Sequence, residues 1–365
     1  TAADFGCQAQ NPPRPMAANV RASRVWVSVL GARAVSSGCQ AVPRRRTFVE
    51  FEGPGLVAVR EEMLPAQRPE EATLRTLLSA VSAGTERKVL AGDLVAAAEP
   101  ADISIGSLGG AAPRWPLRYG YALVGLVEEP GDTPLQRGSR VFCFHPHVSA
   151  ANVRAQDVRE VPPDLSDDDA AFFASMETAT SLVQDAAPVL GDRAAVFGAG
   201  TVGALAAGVL SHHRFEVTLF EPNSARAEAV RSRFPEIQLN AGEGFDVLVE
   251  TSGSSQGLAQ AICLAGRGAR LVAGSWYGEA DVALPLGLRF HRSELTVVAS
   301  QVSRVAAPLS ARWDKDRRAA LAWRLLSALR PSRWVPLRHV PVEEAGEAYA
   351  WRDEDAVQVL LTYGQ

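Results

Sequence analysis

The strongest chemical signal in the chain is a set of three spaced glycines, Gly198-Ala199-Gly200-Thr201-Val202-Gly203. They follow an apolar run, Ala194-Ala195-Val196-Phe197, and open a stretch with helical spacing. In that context the first glycine permits a tight turn, the second lets backbone approach a pyrophosphate, and the third allows close helix–strand packing. Phosphates at such a turn rest on the free amides and positive dipole end of the helix, with Thr201 and Val202 in its first turn. Glu221 ends the next apolar run, about 20 residues on, where an acid accepts hydrogen bonds from an adenosine ribose. Its carboxylate repels a 2′-phosphate, which favours NAD(H). Arg226 nearby keeps NADP(H) open, and a solvated strand end is the other reading of Glu221.

The elements needed to position that turn are legible around it. Strand-like runs at 194–197, 216–220, 246–250 and 270–273 alternate with helical stretches at 202–213, 224–234 and 256–265. That alternation predicts a parallel, doubly wound α/β sheet. Ahead of it, Ser166 followed by three aspartates reads as an N-cap with acids in the first turn of a helix over 170–187. Residues 47–165 are different in kind. Short β-like runs at 47–51, 56–60, 74–81, 122–128 and 140–144 are broken by Gly and Pro, which predicts a compact β-rich domain. After 305 one amphipathic helix (317–329) and one strand (356–363) remain, with no further βαβ rhythm. This tail, 306–365, is expected to return to the first domain, leaving 166–305 as the nucleotide-binding unit.

Composition narrows the function classes. A length of 365 residues suits two domains, and 47% hydrophobic with 21% charged residues supplies globular cores. No apolar run approaches the ~18 residues of a membrane span. A net charge of −4 without a basic block in the body argues against a nucleic-acid partner and for a small-molecule substrate. Cys7, Cys39, Cys143 and Cys263 lie far apart, which excludes a disulfide scaffold and a cysteine-rich zinc lobe. Lysine occurs only at Lys88 and Lys315, and neither falls in a convincing context for a catalytic amine.

Residues 1–46 carry seven arginines and a single acid, Asp4, without sustained periodicity. Such an acid-poor, Arg- and Ser-containing stretch predicts an organelle transit segment, plastid rather than mitochondrial, or else a disordered extension of a cytoplasmic protein. Removing it leaves about −10 on the rest of the chain.

With these motifs placed, residues 47–365 resemble the medium-chain dehydrogenase/reductase superfamily. The order of a β-rich domain, an inserted nucleotide domain and a return segment matches. So do Val249-Glu250-Thr251-Ser252-Gly253, Leu271-Val272-Ala273-Gly274 and the segment Val340-Pro341-Val342-Glu343-Glu344-Ala345-Gly346-Glu347-Ala348-Tyr349. The resemblance implies a Rossmann sheet inserted in a GroES-like catalytic domain, an alcohol dehydrogenase-like activity and pairing of two copies through the nucleotide-domain sheets. It places Ser252 and Gly274 in cofactor loops and Thr178 against the nicotinamide amide, unless Thr178 is an interior helix position.

The departures from that family bear on its metal. Its Cys-Gly-x-Asp zinc motif reads Ala83-Gly84-Thr85-Glu86 here, its Gly-His-Glu reads Gly120-Tyr121-Ala122, and its third ligand falls near Ala174-Ser175-Met176-Glu177. A catalytic zinc needs three protein side chains, so no metal is expected. Ser79-Ala80-Val81-Ser82-Ala83-Gly84-Thr85-Glu86 and Arg118-Tyr119-Gly120-Tyr121 resemble a zinc-independent branch related to bacteriochlorophyllide dehydrogenases. On that resemblance Tyr121 is the hydrogen-bond donor at the vacated metal position, or a core aromatic filling it. Thr85 is a proton-relay hydroxyl, or a turn residue. His147 matches a loop beside the cleft and is a candidate base, with a structural histidine as the alternative. Trp276 and Tyr277 follow a cofactor strand, where they stack on a ligand or simply pack. The implied reaction is hydride transfer between NAD(H) and a secondary alcohol or ketone. Alternatives are NADPH-dependent reduction of an enone or quinone, and a catalytically silent nucleotide-binding protein.

Overall fold

The computed structural model describes residues 44–93, 114–278, 280–350 and 357–364. The expected transit segment therefore lies outside the described residues, apart from its last three. Of these, Arg45 and Arg46 belong to the first strand, and Arg44 and Arg46 pair with Glu128 and Glu62. The folded domain thus starts slightly before residue 47, because these arginines are held by acids across the sheet surface.

The first domain begins with an antiparallel hairpin, β1 (Arg45–Gly53) and β2 (Leu56–Met63). A mainly antiparallel seven-stranded sheet follows. Its members are β3 (Glu71–Val81), β4 (Leu123–Glu129), β5 (Arg140–Cys143), β6 (Ala150–Arg154), β7 (Val158–Glu160), β14 (Leu337–Pro341) and β15 (Gln358–Thr362). The sheet order is β14-β15-β3-β4-β5-β7, with β6 also pairing β3. A short helix, α1 (Thr85–Ala91), leaves the end of β3 and ends at Gly92 in the left-handed region (φ 109°).

The second domain is a six-stranded parallel sheet: β8 (Arg193–Phe197), β9 (Glu216–Phe220), β10 (Gln238–Leu239), β11 (Phe245–Glu250), β12 (Ala265–Ala273) and β13 (Thr296–Ala299). Its order, β10-β9-β8-β11-β12-β13, is that of a doubly wound nucleotide-binding sheet, with the reversal between β8 and β11. The central strand reads Ala-Ala-Val-Phe and is buried on both faces, as a parallel strand between two helix layers must be. Around it lie α3 (Phe173–Ala186), α4 (Thr201–His212), α5 (Ser224–Arg233) and α6 (Ser255–Leu264).

Three expectations are modified. The helix over 170–187 is two helices, α2 (Asp167–Ala171) and α3, meeting at the buried Phe172. The Ser166 cap holds, with its hydroxyl accepting the Asp169 amide. The strands β6, β7, β10, β13 and β14 were missed by the pattern reading. The helix α7 (Lys315–Leu329) packs on α3 and α4 and so stays with the nucleotide domain. Its buried residues Ala319, Ala322, Leu325, Leu326 and Leu329 share the core of that domain, and the return to the first domain begins only at β14. The return ends with β15 inserted between β14 and β3, after the short helix α8 (Ala345–Ala350).

Candidate functional site

A cleft of about 2210 Å3 runs between the two domains, across the carboxyl ends of β8 and β11. The glycine turn forms one wall. Gly198 adopts φ 92°, and a Cβ there would lie 2.7 Å from the Cα of Ser252. At Gly203 a Cβ would lie 2.0 Å from the Gly198 carbonyl oxygen and 2.4 Å from Thr251 Oγ1, so only glycine lets α4 start this close to β8. At Gly200 a Cβ would meet nothing within 4 Å. The three glycines thus divide the work: two make tight packing and the middle one borders open space at the helix N-terminus, the cradle a pyrophosphate requires. Thr201 donates to the Val357 carbonyl and to Gln358 Oε1, both at 3.1 Å, which ties the start of α4 to β15.

Glu221 is buried, which removes the solvated-strand-end reading. Its Oε2 accepts the Ala199 amide at 2.6 Å and its Oε1 the Asn223 amide at 2.8 Å. The carboxylate therefore braces the glycine turn from β9. A carboxylate has about four acceptor sites, so two remain for the hydroxyls of a ribose. Arg226, on α5 after the Asn223 cap, lines the same end of the cleft.

The later loops are held by a second buried acid. Glu250, at the end of β11, accepts the Ser252 amide and hydroxyl at 2.6 Å each and the Tyr277 hydroxyl at 2.5 Å. Desolvation and this hydrogen bond to a carboxylate push the Tyr277 hydroxyl far above its usual range, so Tyr277 is an anchor for its loop rather than a ligand-facing acid. Gly274 lies against Leu182, 2.5 Å from where its Cβ would be. Ser252, Gly274 and Trp276 all line the cleft.

The opposite wall comes from the first domain. Gly120, at φ 118°, presents Tyr121, whose hydroxyl donates to Ser82 Oγ at 2.5 Å and lies near Thr85. Burial and the nearby Glu86 carboxylate raise the Tyr121 pKa above the usual 10.0, outweighing the two hydroxyl contacts. Tyr121 is therefore a neutral donor. Thr85 occupies the first turn of α1 and lines the cleft with Ser82 and Tyr121. Thr178 also lines it, its hydroxyl donating to the Ala174 carbonyl at 3.0 Å within α3.

His147 is not in the cleft. It is fully buried, with Nε2 3.0 Å from Glu86 Oε2 and Nδ1 2.7 Å from Ser79 Oγ. Glu86 also accepts the Tyr349 hydroxyl at 2.7 Å and the Ser82 amide at 2.8 Å, and Ser79 is 2.8 Å from the Tyr363 hydroxyl. The candidate base is thus a core residue in a closed polar chain, its ring packed so tightly under Gly120 that a Cβ there would lie 2.7 Å away. The neighbouring His145 does line the cleft. Its Nδ1–H donates to the Pro146 carbonyl at 2.8 Å, and burial lowers its pKa, leaving a neutral ring. Glu177, next to the third expected ligand position, is engaged by the buried Arg318 at 3.2 Å.

At the positions corresponding to zinc ligands stand Ala83, without a donor, Tyr121, a phenol held neutral, and the segment around Ser175. Cys143 is buried, and desolvation pushes its thiol up to about 12, away from the thiolate a metal requires. Among the described residues no group of three or more His, Cys, Asp or Glu is placed to hold a metal ion. Among the described residues these positions offer no three-ligand set for zinc. Sequence reasoning missed Ser82, Glu250 and the cleft position of Lys88; Ser82 was quoted within a motif, but a lone serine in a strand end carries no signal of its own.

No protein-family model and no curated protein sequence matches the chain. Solved structures do. Galactitol-1-phosphate dehydrogenase from Escherichia coli is 18% identical, with 87% of this chain and 99% of that one covered and a TM-score of 0.69. A candidate zinc-binding dehydrogenase from Sinorhizobium meliloti 1021 bound to NADP is 16% identical over the same shares, also at 0.69. An alcohol dehydrogenase from Escherichia coli CFT073 complexed with NADH is 15% identical, again over 87% and 99%, at 0.67. The alcohol dehydrogenase-like fold, a Rossmann sheet joined to a GroES-like domain, follows from these likenesses.

Proposed function

We propose that the protein is a nicotinamide-dependent oxidoreductase that interconverts a secondary alcohol and its ketone without zinc. The observation that carries this reading is the open cradle at Gly200, set at the reversal point of a doubly wound sheet and facing a wall of side-chain hydroxyls. NADP and NADH accompany two of the similar structures, which supports the same cofactor class. When bound, the nicotinamide supplies or accepts the hydride.

The chain's own residues do the rest. Amides at the start of α4 and the Glu221 carboxylate bind the dinucleotide, and Thr178, Ser252 and Gly274 bound the space for its nicotinamide half. The Ser82–Tyr121–Thr85 cluster serves the substrate oxygen. Tyr121 donates to Ser82 and so fixes that hydroxyl as a donor toward the cleft, while Thr85 passes the proton. One positioned donor of this type contributes about 3–4 kcal/mol to the transition state. Glu221 favours NAD(H), because a 2′-phosphate would face a buried carboxylate. Arg226 at the same end supports NADPH-dependent reduction of an enone or quinone as the second reading.

Two further points belong to this proposal. The exposed edge strand β13, with Val297 38% exposed, supports a homodimer formed by sheet pairing. The arginine-rich, acid-poor residues 1–43 support organelle, and first of all plastid, localisation. The deciding experiment is a titration with NADH and NADPH followed by a panel of secondary alcohols and ketones, with metal content measured on the same preparation. The expected result is NADH preference and turnover without stoichiometric zinc. Tight NADH binding with no turnover supports the silent nucleotide-binding alternative, and failure to bind either nucleotide ends the proposal.

A further inference from the structure

Arginine supplies every basic residue of this chain except two, and both exceptions, Lys88 and Lys315, line the cleft. Among the described residues seven basic and four acidic ones line it, although the chain carries −4 overall. Three of those acids are engaged, Asp157 by Arg154, Glu177 by Arg318 and Glu221 by two backbone amides, and of the bases Arg154 and Arg159 are paired with Asp157 and Asp316. A cleft with this bias concentrates anions. Arg226 belongs to the nucleotide end, beside Glu221. Lys88 does not.

Lys88 lies on α1 three residues after Thr85, so the two side chains share a helix face with Cβ atoms about 5–6 Å apart. Its ammonium stands 5.8 Å from the centroid of the Trp276 ring, which is 37% exposed. It enters no ion pair among the described residues, although the Asp93 carboxylate stands near it against Gly278. A Cβ at Gly278 would lie 2.5 Å from Asp93 Oδ2 and 3.7 Å from Lys88 Nζ. The ammonium thus stands beside a ring, one helical turn from the hydroxyl of Thr85.

We propose that Lys88 anchors a carboxylate on the substrate, so that the alcohol or ketone is a hydroxy or oxo acid whose carboxylate lies a few bonds from the reacting carbon. This rests on the alcohol–ketone reading of the cleft and adds its substrate class. A single ammonium balances a single carboxylate charge, whereas a phosphate monoester carries about −1.5 to −2 and needs further partners. Thr85 and Lys88 then act as two fixed points, one for the reacting oxygen and one for the anionic end, and the one-turn spacing between them selects chain length.

The test uses 4-oxopentanoate and its methyl ester, titrated calorimetrically into the protein with and without saturating NADH, for wild type, Lys88→Met and Lys88→Arg. The expected result is at least tenfold tighter binding of the acid than of the ester in wild type, loss of that preference in Lys88→Met and its substantial recovery in Lys88→Arg. The proposal is overturned if the acid does not bind, if acid and ester bind alike in wild type, or if Lys88→Met keeps the preference. Weakened NADH binding in Lys88→Met, equal to the loss for the acid, also overturns it by moving Lys88 to the cofactor site. The nucleotide-free titration reads the acid–ester preference even if NADH fails to bind, so the two readings fail separately.

Discussion

The two walls of the cleft are made of different material. The nucleotide wall is made chiefly of backbone: a glycine turn, the amides at the start of α4, and two buried acids, Glu221 and Glu250, whose contacts include the amides of Ala199, Asn223 and Ser252. The substrate wall is mainly side chain, with Tyr121 donating to Ser82 and Thr85 lining the cleft beside them, over a buried chain of Glu86, His147 and Ser79. Backbone fixes a site through where atoms cannot fit, whereas side chains fix it through what they donate. Mutations should therefore act on binding at the first wall and on rate at the second.

The largest expected effect is at Gly203→Ala. The new methyl would collide with the Gly198 carbonyl at 2.0 Å, which puts it at or beyond the upper end of the ~1–3 kcal/mol typical of overpacking. NADH fluorescence titration should show binding lost, and a thermal melt should show a less stable nucleotide domain. Normal NADH affinity in this variant would break the contrast between the walls. Next comes Tyr121→Phe, which removes one donor and should lower kcat about 100-fold or more with NADH affinity unchanged. Equal losses in rate and nucleotide binding would mean that Tyr121 is only packing.

Glu221→Gln sharpens the comparison from the other side. It keeps the shape but removes the charge that faces the ribose and turns one of the two oxygens that accept the Ala199 and Asn223 amides into a donor, so NADH should weaken by at least about tenfold, the ~1.5 kcal/mol of a hydrogen bond to a charged group. NADPH should weaken less, and the ratio of the two affinities is the measurement that decides it. The smallest effect is an absence of one. Tyr121 is raised above 10.0, so its proton remains in place as pH climbs to that value, and His145 is lowered below 6.5, so its ring stays neutral down to that pH. The rate of ketone reduction should accordingly show no limb from either group between about pH 6.5 and 10. A limb that disappears in Tyr121→Phe would contradict this assignment.

The same contrast explains what could be read from the chain alone. The nucleotide wall was legible because its constraints are local: a glycine turn between a strand and a helix repeats a backbone geometry within a few residues, and Glu221 follows at the end of the next strand. The inner strands of the sheet were legible for the same reason, although its two edge strands, β10 and β13, were not, being short and largely exposed. The opposite wall was legible only through resemblance, which put Tyr121, Thr85 and His147 beside the cleft; the first two line it and His147 does not. His145 and His147 are two residues apart, a spacing that puts side chains on one face of a regular strand, but the chain leaves β5 after Cys143 and bends at His147, so one ring lines the cleft and the other lies in the core. Nothing local says which. The partners that settle it, Glu86, Ser79, Tyr349 and Tyr363, come from as far as 284 residues apart in the chain. The assignment of α7 failed similarly, because Arg318 finds Glu177 and Ser181 at a distance of 137 residues or more.

The placement of β15 bears on how the molecule is made. On a ribosome the parallel sheet and its helices, 166–329, emerge as one continuous stretch and can close on themselves at once. The first domain cannot, since β3 waits beside an unfilled slot until Gln358 arrives to donate its side-chain amide to the Val81 carbonyl, 277 residues later. For most of synthesis, then, the substrate half is an open sheet with a bare edge, the state most vulnerable to misassociation. Holding that edge safe until the polypeptide is nearly finished is a task for chaperones, and expression at low temperature or with added holdases should rescue yield before any change to the catalytic residues does.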